Sequence, residues 1–246
     1  MVNAVEQERL VRSQSRRAKV TRMALLASAL GAAIVSGMSV VFLINPIPAV
    51  GMEPMGLLMA FGALAFGLGM VLWFGAMLVS AVAFLLWFHR AYVAAAALDA
   101  APTTETAGGA VLSFFIPIVN LLRPYRAMDA LLQNLDPAWM PELTVTPHQA
   151  PEAGVGYRDN AGHVHAAIPT PPAPITAWWG LWLLQNIALR FTGTAGEGHE
   201  LDSDAYWGWL VGGAVSAVAA VLCARVVHAV DARVRERHRR IQLAAR

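Results

Sequence analysis

Two long runs of uncharged residues constrain this chain more than any other feature. Residues 23–44 and 55–88 contain no Asp, Glu, Lys or Arg over 22 and 34 positions. At 1.5 Å per residue the first run makes a helix of about 33 Å, enough to cross a hydrocarbon core of ~30 Å. Only 14% of the 246 residues are charged and 57% are apolar, where a soluble domain has about 25% charged. A soluble enzyme, a disordered tail protein and a nucleic-acid binder do not fit that balance. The expected fold is an all-α integral membrane protein. It has four transmembrane helices, a short re-entrant or interfacial segment and an amphipathic helix.

The spans follow from where the runs stop. Asn45-Pro46-Ile47-Pro48 ends the first, because proline lacks the backbone donor and disfavours helix at the preceding residue. Residues 55–88 would form a helix of about 50 Å, too long for one upright span and too short for two with a turn. One long tilted helix that continues through residues 91–98 is expected. Residues 109–122 are uncharged but would cover only about 21 Å as a helix, and Pro117 interrupts them. A re-entrant or interfacial segment is expected there. Residues 125–135 then read as an amphipathic helix, with Tyr125, Met128, Leu131, Leu132 and Leu135 on one face and Arg126, Asp129 and Gln133 on the other. Residues 137–174 carry eight prolines and no apolar period, so a flexible or extended loop is expected. Residues 175–192 and 205–230 are the third and fourth spans. Trp178, Trp179, Trp182, Trp207 and Trp209 supply their interfacial belts.

Charge sets the orientation. Residues 1–22 carry six basic and two acidic groups, residues 225–246 carry seven and two, and the rest of the chain is acidic. Basic ends belong on the cytoplasmic side, so both termini are expected inside, with residues 45–55 and 193–204 outside. A stretch of 22 residues with eight charged groups precedes the first span, which is not the layout of a cleavable signal peptide. The chain therefore divides into a basic cytoplasmic tail (1–22), a block with two spans, the re-entrant segment and the amphipathic helix (23–136), a Pro-rich cytoplasmic loop (137–174), a block with two spans (175–230) and a second basic tail (231–246). The expected partners are the bilayer, anionic lipid headgroups at the basic tails, and a membrane-protein partner or a second copy of the chain, with no nucleic acid. Small residues that recur along the spans let helices approach closely, so Ala33, Gly37, Gly67, Gly212 and Ser216 are expected at helix–helix contacts.

Trp87-Phe88-His89-Arg90-Ala91-Tyr92, then Phe115-Ile116-Pro117-Ile118-Val119-Asn120-Leu121-Leu122-Arg123-Pro124-Tyr125, then Trp178-Trp179-Gly180-Leu181-Trp182 carry a likeness. In these elements the chain resembles the DUF4328 family of bacterial multi-pass membrane proteins, over most of residues 60–225. That resemblance implies a multi-pass helical protein of the bacterial cytoplasmic membrane and implies no reaction. The family's pattern after its Arg-Ala-Tyr is not kept here, where Val93-Ala94-Ala95-Ala96-Ala97-Leu98 follows.

No G-x-S-x-G, H-E-x-x-H or P-loop pattern occurs, and the predicted spans hold no Asp or Glu of the kind that ion-coupled transport uses. No enzyme activity, metal or cofactor is expected. His163 and His165 lack companion ligands for a metal. His89 and His228 near two helix ends are read as interfacial polar groups and not as axial haem ligands. The candidate site is Arg90, Asn120 and Arg123 around the break at Pro117. Two arginines there can hold a phosphate or carboxylate, or else cap helix ends and snorkel. The leading function is a non-enzymatic membrane subunit or scaffold. The other is a lipid- or small-anion-binding membrane protein, a transporter or sensor, with its site at the re-entrant segment.

Overall fold

The computed structural model describes residues 4–44, 57–100, 106–116, 119–136, 144–145, 156–158, 164–166, 173–192 and 203–244. Helices dominate: α1 (Ala4–Ile44), α2 (Leu57–Ala97), α3 (Ala107–Leu112), α4 (Arg123–Asn134), α5 (Ile175–Thr192) and α6 (Ser203–Ala244). Three of them, α1, α2 and α6, are long and apolar enough to cross a membrane. The proline-rich stretch, expected as a flexible or extended loop, contributes a small antiparallel meander of β1 (Thr144–Val145), β2 (Gly156–Arg158) and β3 (Val164–Ala166). His165 pairs with Tyr157 there, and His163 lies outside the described residues.

The N-terminal stretch, expected as a basic cytoplasmic tail, is helical from Ala4 onward. It is the opening of α1, a 41-residue helix about 60 Å long. Val11, Gln14, Ala18, Thr21, Leu25, Ser28, Ala32, Val35, Ser39 and Phe42 are all buried. Their steps alternate three and four, the 3.5-residue repeat of helices that pack nearly parallel. Six of these ten are polar or alanine, which is why no apolar stripe is visible in residues 1–22. The facing row, Met23, Leu26, Leu30, Ala33, Gly37, Val40 and Ile44, is exposed. Ala33 and Gly37, expected at helix–helix contacts, thus lie outside the buried row of α1. An every-fourth-residue stripe drifts around the helix, whereas the buried row does not. Gly67 is also exposed, and neither Gly37 nor Gly67 has an atom within 4 Å of an added Cβ. Gly212 and Ser216 are buried.

The chain forms two compact units. Unit 2 comprises Thr21–Ala83 and Pro174–Ala224. Its centre is Ala32, Val35 and Trp73, with Phe66, Met70, Trp209 and Ala217 packed on them. Close approach rests on two glycines. A Cβ on Gly31 would lie 2.5 Å from the Trp73 backbone nitrogen, and one on Gly213 would lie 2.8 Å from the Ala32 carbonyl oxygen. Ser36 donates to the Leu210 carbonyl (2.8 Å) and Thr21 to the Ala83 carbonyl (3.1 Å). These bonds give hydroxyls in apolar helices the partners they need. On α5, Trp179 and Trp182 stack at 4.7 Å, and Asn186 donates to its own helix at Trp182.

Unit 1 comprises Met1–Val20, Phe84–Ala173 and Arg225–Arg246. Its aromatic centre is Phe84, Trp87, Phe88, Tyr92 and Phe114, with neighbouring ring centroids 5.2–6.3 Å apart. Against it α4 buries Ala127, Met128, Leu131 and Leu132, while Arg126 and Gln133 stay exposed. Pro124 opens α4 at its first turn, where its missing donor costs nothing.

Candidate functional site

Among the described residues, unit 1 holds most of the charged groups, and several of them close helix ends. Beyond Ala97, α2 finishes with Asp99 in the left-handed region (φ 51°). Ala100 donates to the Ala95 carbonyl (2.8 Å) and Asp99 to the Ala96 carbonyl (3.2 Å). That pair of bonds is a Schellman cap with aspartate where glycine is usual. Arg237 of α6, itself buried, fastens it. Its Nε donates to the Leu98 carbonyl (2.9 Å) and its Nη2 to the Asp99 carbonyl (3.0 Å). Its Nη1 reaches the Asn134 carbonyl at the end of α4 (3.2 Å). Arg233 donates to the Leu132 carbonyl (2.7 Å), and Gln7 to the Ala97 carbonyl (2.8 Å). Cations at helix C-termini meet both the unpaired carbonyls and the negative end of the dipole.

The rest of the basic end of α6 is neutralised in place. Buried Glu236 accepts from Arg239 at 2.9 Å and from Arg240 at 3.0 Å. Buried Asp231 accepts from Ser15 (2.7 Å) and pairs with Arg235 (3.1 Å). Sequence reasoning placed this cluster in a basic cytoplasmic tail and missed its structural use. The available signal was the polar Asp231/Glu236 pair set among arginines at helical spacing, with no glycine to cap α2 or α4.

The three site residues predicted from sequence all belong to unit 1. Arg90 is half-buried on α2, its Nε is buried without a partner, and it makes no hydrogen bond or ion pair among the described residues. Asn120 sits in a single turn of tight helix, Val119–Leu121, with its Oδ1 buried and unpartnered. Arg123 is exposed at the first residue of α4. Asn120 and Arg123 thus share one short stretch, and no bond ties Arg90 to either. The segment is broken as expected. α3 has six residues, about 9 Å, with Thr106 accepting from the Gly109 amide at its start. Six helical residues cannot cross a bilayer. Pro117 lies outside the described residues.

Two further polar groups share the level of Arg90. Arg17 donates to the Leu86 carbonyl and Gln7 to the Ala97 carbonyl, so α1 and α2 run antiparallel in this unit and Gln14 falls opposite Arg90. Both side-chain atoms of Gln14 and the Trp87 Nε1 are buried without partners. Buried polar groups without partners are uncommon and costly. His89 is exposed. Among the described residues no group of three or more His, Cys, Asp or Glu gathers as a metal site would require. Cys223, the sole cysteine, is buried.

The Trp-Phe-His-Arg-Ala-Tyr element now has a physical explanation. Trp87, Phe88 and Ala91 are wholly buried, and Tyr92 donates to the Ala127 carbonyl (2.8 Å), tying α2 to α4. The element is packing, with His89 and Arg90 its polar exceptions. The chain belongs to the DUF4328 family: the family model, described as a domain of unknown function, matches residues 57–232. No curated protein and no solved structure matches the chain.

Proposed function

We propose that this DUF4328 protein is a non-enzymatic, multi-pass subunit or scaffold of the bacterial cytoplasmic membrane. In this reading α1, α2, α5 and α6 are four spans and both termini are cytoplasmic. The supporting features are the three long apolar helices, the 18-residue length of α5 (about 27 Å) and the concentration of Lys and Arg in the two terminal segments. Topology is tested by labelling from outside, with Cys223 replaced. A cysteine at Glu200 should react, and cysteines at Gln7 and Gln242 should not. The reverse pattern would overturn the four-span arrangement.

The observation that carries the scaffold reading is the exposed row of α1. Its middle is small, Ala33 and Gly37, between Leu30 and Val40, and open space lies above Gly37. Lipid chains need no small residues, whereas a second helix does, because close packing replaces the missing hydrophobic drive inside a bilayer. Gly37→Leu should leave the folded yield near wild type, since its Cβ meets nothing within the chain. It should remove the complex or oligomer seen by cross-linking in native membranes. Unchanged cross-linked species would count against the scaffold.

A second reading, a lipid- or small-anion-binding protein with its site at residues 109–122, is favoured by the buried unpartnered Nε of Arg90 and Oδ1 of Asn120. Retained assembly in Gly37→Leu, together with a bound lipid lost from Arg90→Gln, would turn the balance toward it.

A further inference from the structure

The two basic ends of this chain are chemically different. Five arginines near the end of α6 are engaged: Arg233 and Arg237 close helix ends, Arg235 pairs with Asp231, and Arg239 and Arg240 hold Glu236. On α1, Arg17 donates to the Leu86 carbonyl (3.3 Å), and Arg9, Arg12 and Arg16 stand on the surface. Arg9 and Arg16 are exposed and make no hydrogen bond or ion pair among the described residues. Arg12 meets only Glu8, one turn away, at 2.7 Å on the surface.

These groups also share a cavity. A space of about 680 Å³ is lined by Val5, Glu8, Arg9, Arg12, Arg16 and Arg17, with Ser13 between them. Arg9, Arg12 and Arg16 stand three and four residues apart, and Arg9, Ser13 and Arg17 four apart, so the guanidinium groups fall on one side of the helix. Four cations against one carboxylate repel one another, and an anion in the cavity relieves that repulsion. The volume lies within the range of ~300–1,000 Å³ typical of small-molecule sites, larger than a bare oxyanion requires. Guanidinium forks match phosphate oxygens two at a time.

We propose that this arginine-lined cavity on the opening turns of α1 binds a phosphate group carried on a larger molecule, with Arg9 and Arg16 as its principal ligands. The group comes either from a phospholipid headgroup or from a soluble organic phosphate. The proposal stands apart from the scaffold reading and from the Arg90–Asn120 region.

The test uses the full chain with two probes. One is a soluble phosphomonoester, glycerol 3-phosphate, titrated calorimetrically into detergent-purified protein. The other is reconstitution into phosphatidylcholine with and without phosphatidylglycerol, with retained lipid read by native mass spectrometry. Two double variants remove the same charge: Arg9→Gln/Arg16→Gln in the cavity, and Lys19→Gln/Arg235→Gln away from it. The cavity variant should lose about tenfold or more in affinity or retained lipid, and the other less than about twofold. Arg9→Lys/Arg16→Lys keeps the charge and loses the fork. It should fall between them, and it carries the test if the glutamine variant fails to fold. Binding of glycerol 3-phosphate identifies a soluble source, and selective retention of phosphatidylglycerol alone identifies a lipid one. No binding of either probe overturns the proposal. So does equal weakening by the two charge-matched variants, which would reveal unspecific attraction to a basic surface.

Discussion

Arg237→Ala is expected to cost the folded protein about 3–5 kcal/mol, the scale of leaving three carbonyl acceptors without their donor at ~1–3 kcal/mol each. Such a loss is a large share of the ~5–15 kcal/mol that holds a domain folded. The side chain is buried and donates to three carbonyls, at Leu98, Asp99 and Asn134. Its removal leaves the ends of α2 and α4 without their donors and releases the left-handed Asp99 turn. Arg237→Lys should recover little, because an ammonium cannot reach three acceptors with the geometry of a planar fork. Arg235→Ala is the contrast, since its side chain is about half exposed (53%). Its pair with Asp231 is worth ~1 kcal/mol or less after screening by solvent. Thermal unfolding in detergent followed by circular dichroism checks both. An Arg237→Ala midpoint within about 2 °C of wild type would show that the three bonds do not hold unit 1 together, since a loss of this size shifts a midpoint by several times that.

Gly31→Leu should be the most damaging small-to-large change in unit 2. The added Cβ would stand 2.5 Å from the backbone nitrogen and 2.8 Å from the Cα of Trp73. Backbone atoms in the middle of a helix cannot turn aside as a side chain can. The helices must therefore separate, and the packing of Ala32, Val35 and Trp73, all wholly buried, is lost with them. Overpacking by itself costs ~1–3 kcal/mol, and a backbone clash lies at or above the top of that range. Folded, monodisperse protein should fall severalfold in size-exclusion chromatography. Gly37→Leu, six positions along the same helix, should not share this loss, because nothing lies within 4 Å of its Cβ. Equal yields from the two variants would show that the approach of α1 to Trp73 does not depend on the glycine.

Much of the architecture is legible in the order of residues. The uncharged runs at 23–44 and 55–88 announce long helices, and proline and asparagine after Ile44 stop the first. α2 continues past Arg90 to Ala97, and α6 continues through its arginines to Ala244, both as their composition suggests. The amphipathic face of α4 is readable from Met128, Leu131 and Leu132. The break within residues 109–122 follows from a run too short to span and interrupted by proline. These features depend on local properties: backbone donors, helix rise and the free energy of burying apolar groups.

Partner choice is not a local property, and it decided the rest. The buried row of α1 includes Gln14, Thr21, Ser28 and Ser39, which apolar periodicity does not reveal, so residues 1–22 read as a basic cytoplasmic tail. Small residues announce that close contact is possible, but not on which side of the helix. Gly31 and Gly213 meet backbone, while Gly37 and Gly67 meet nothing. Arginine is the sharpest case. As a sequence symbol Arg237 is the same as Arg9, and both count equally toward a basic terminus. Tertiary structure sets Arg237 against three carbonyls of two other helices, where its charge holds the fold, and leaves Arg9 beside an open cavity with its charge uncommitted. A guanidinium's five donors are fixed by its chemistry; the acceptors it finds depend on which helix ends the folded chain brings within reach.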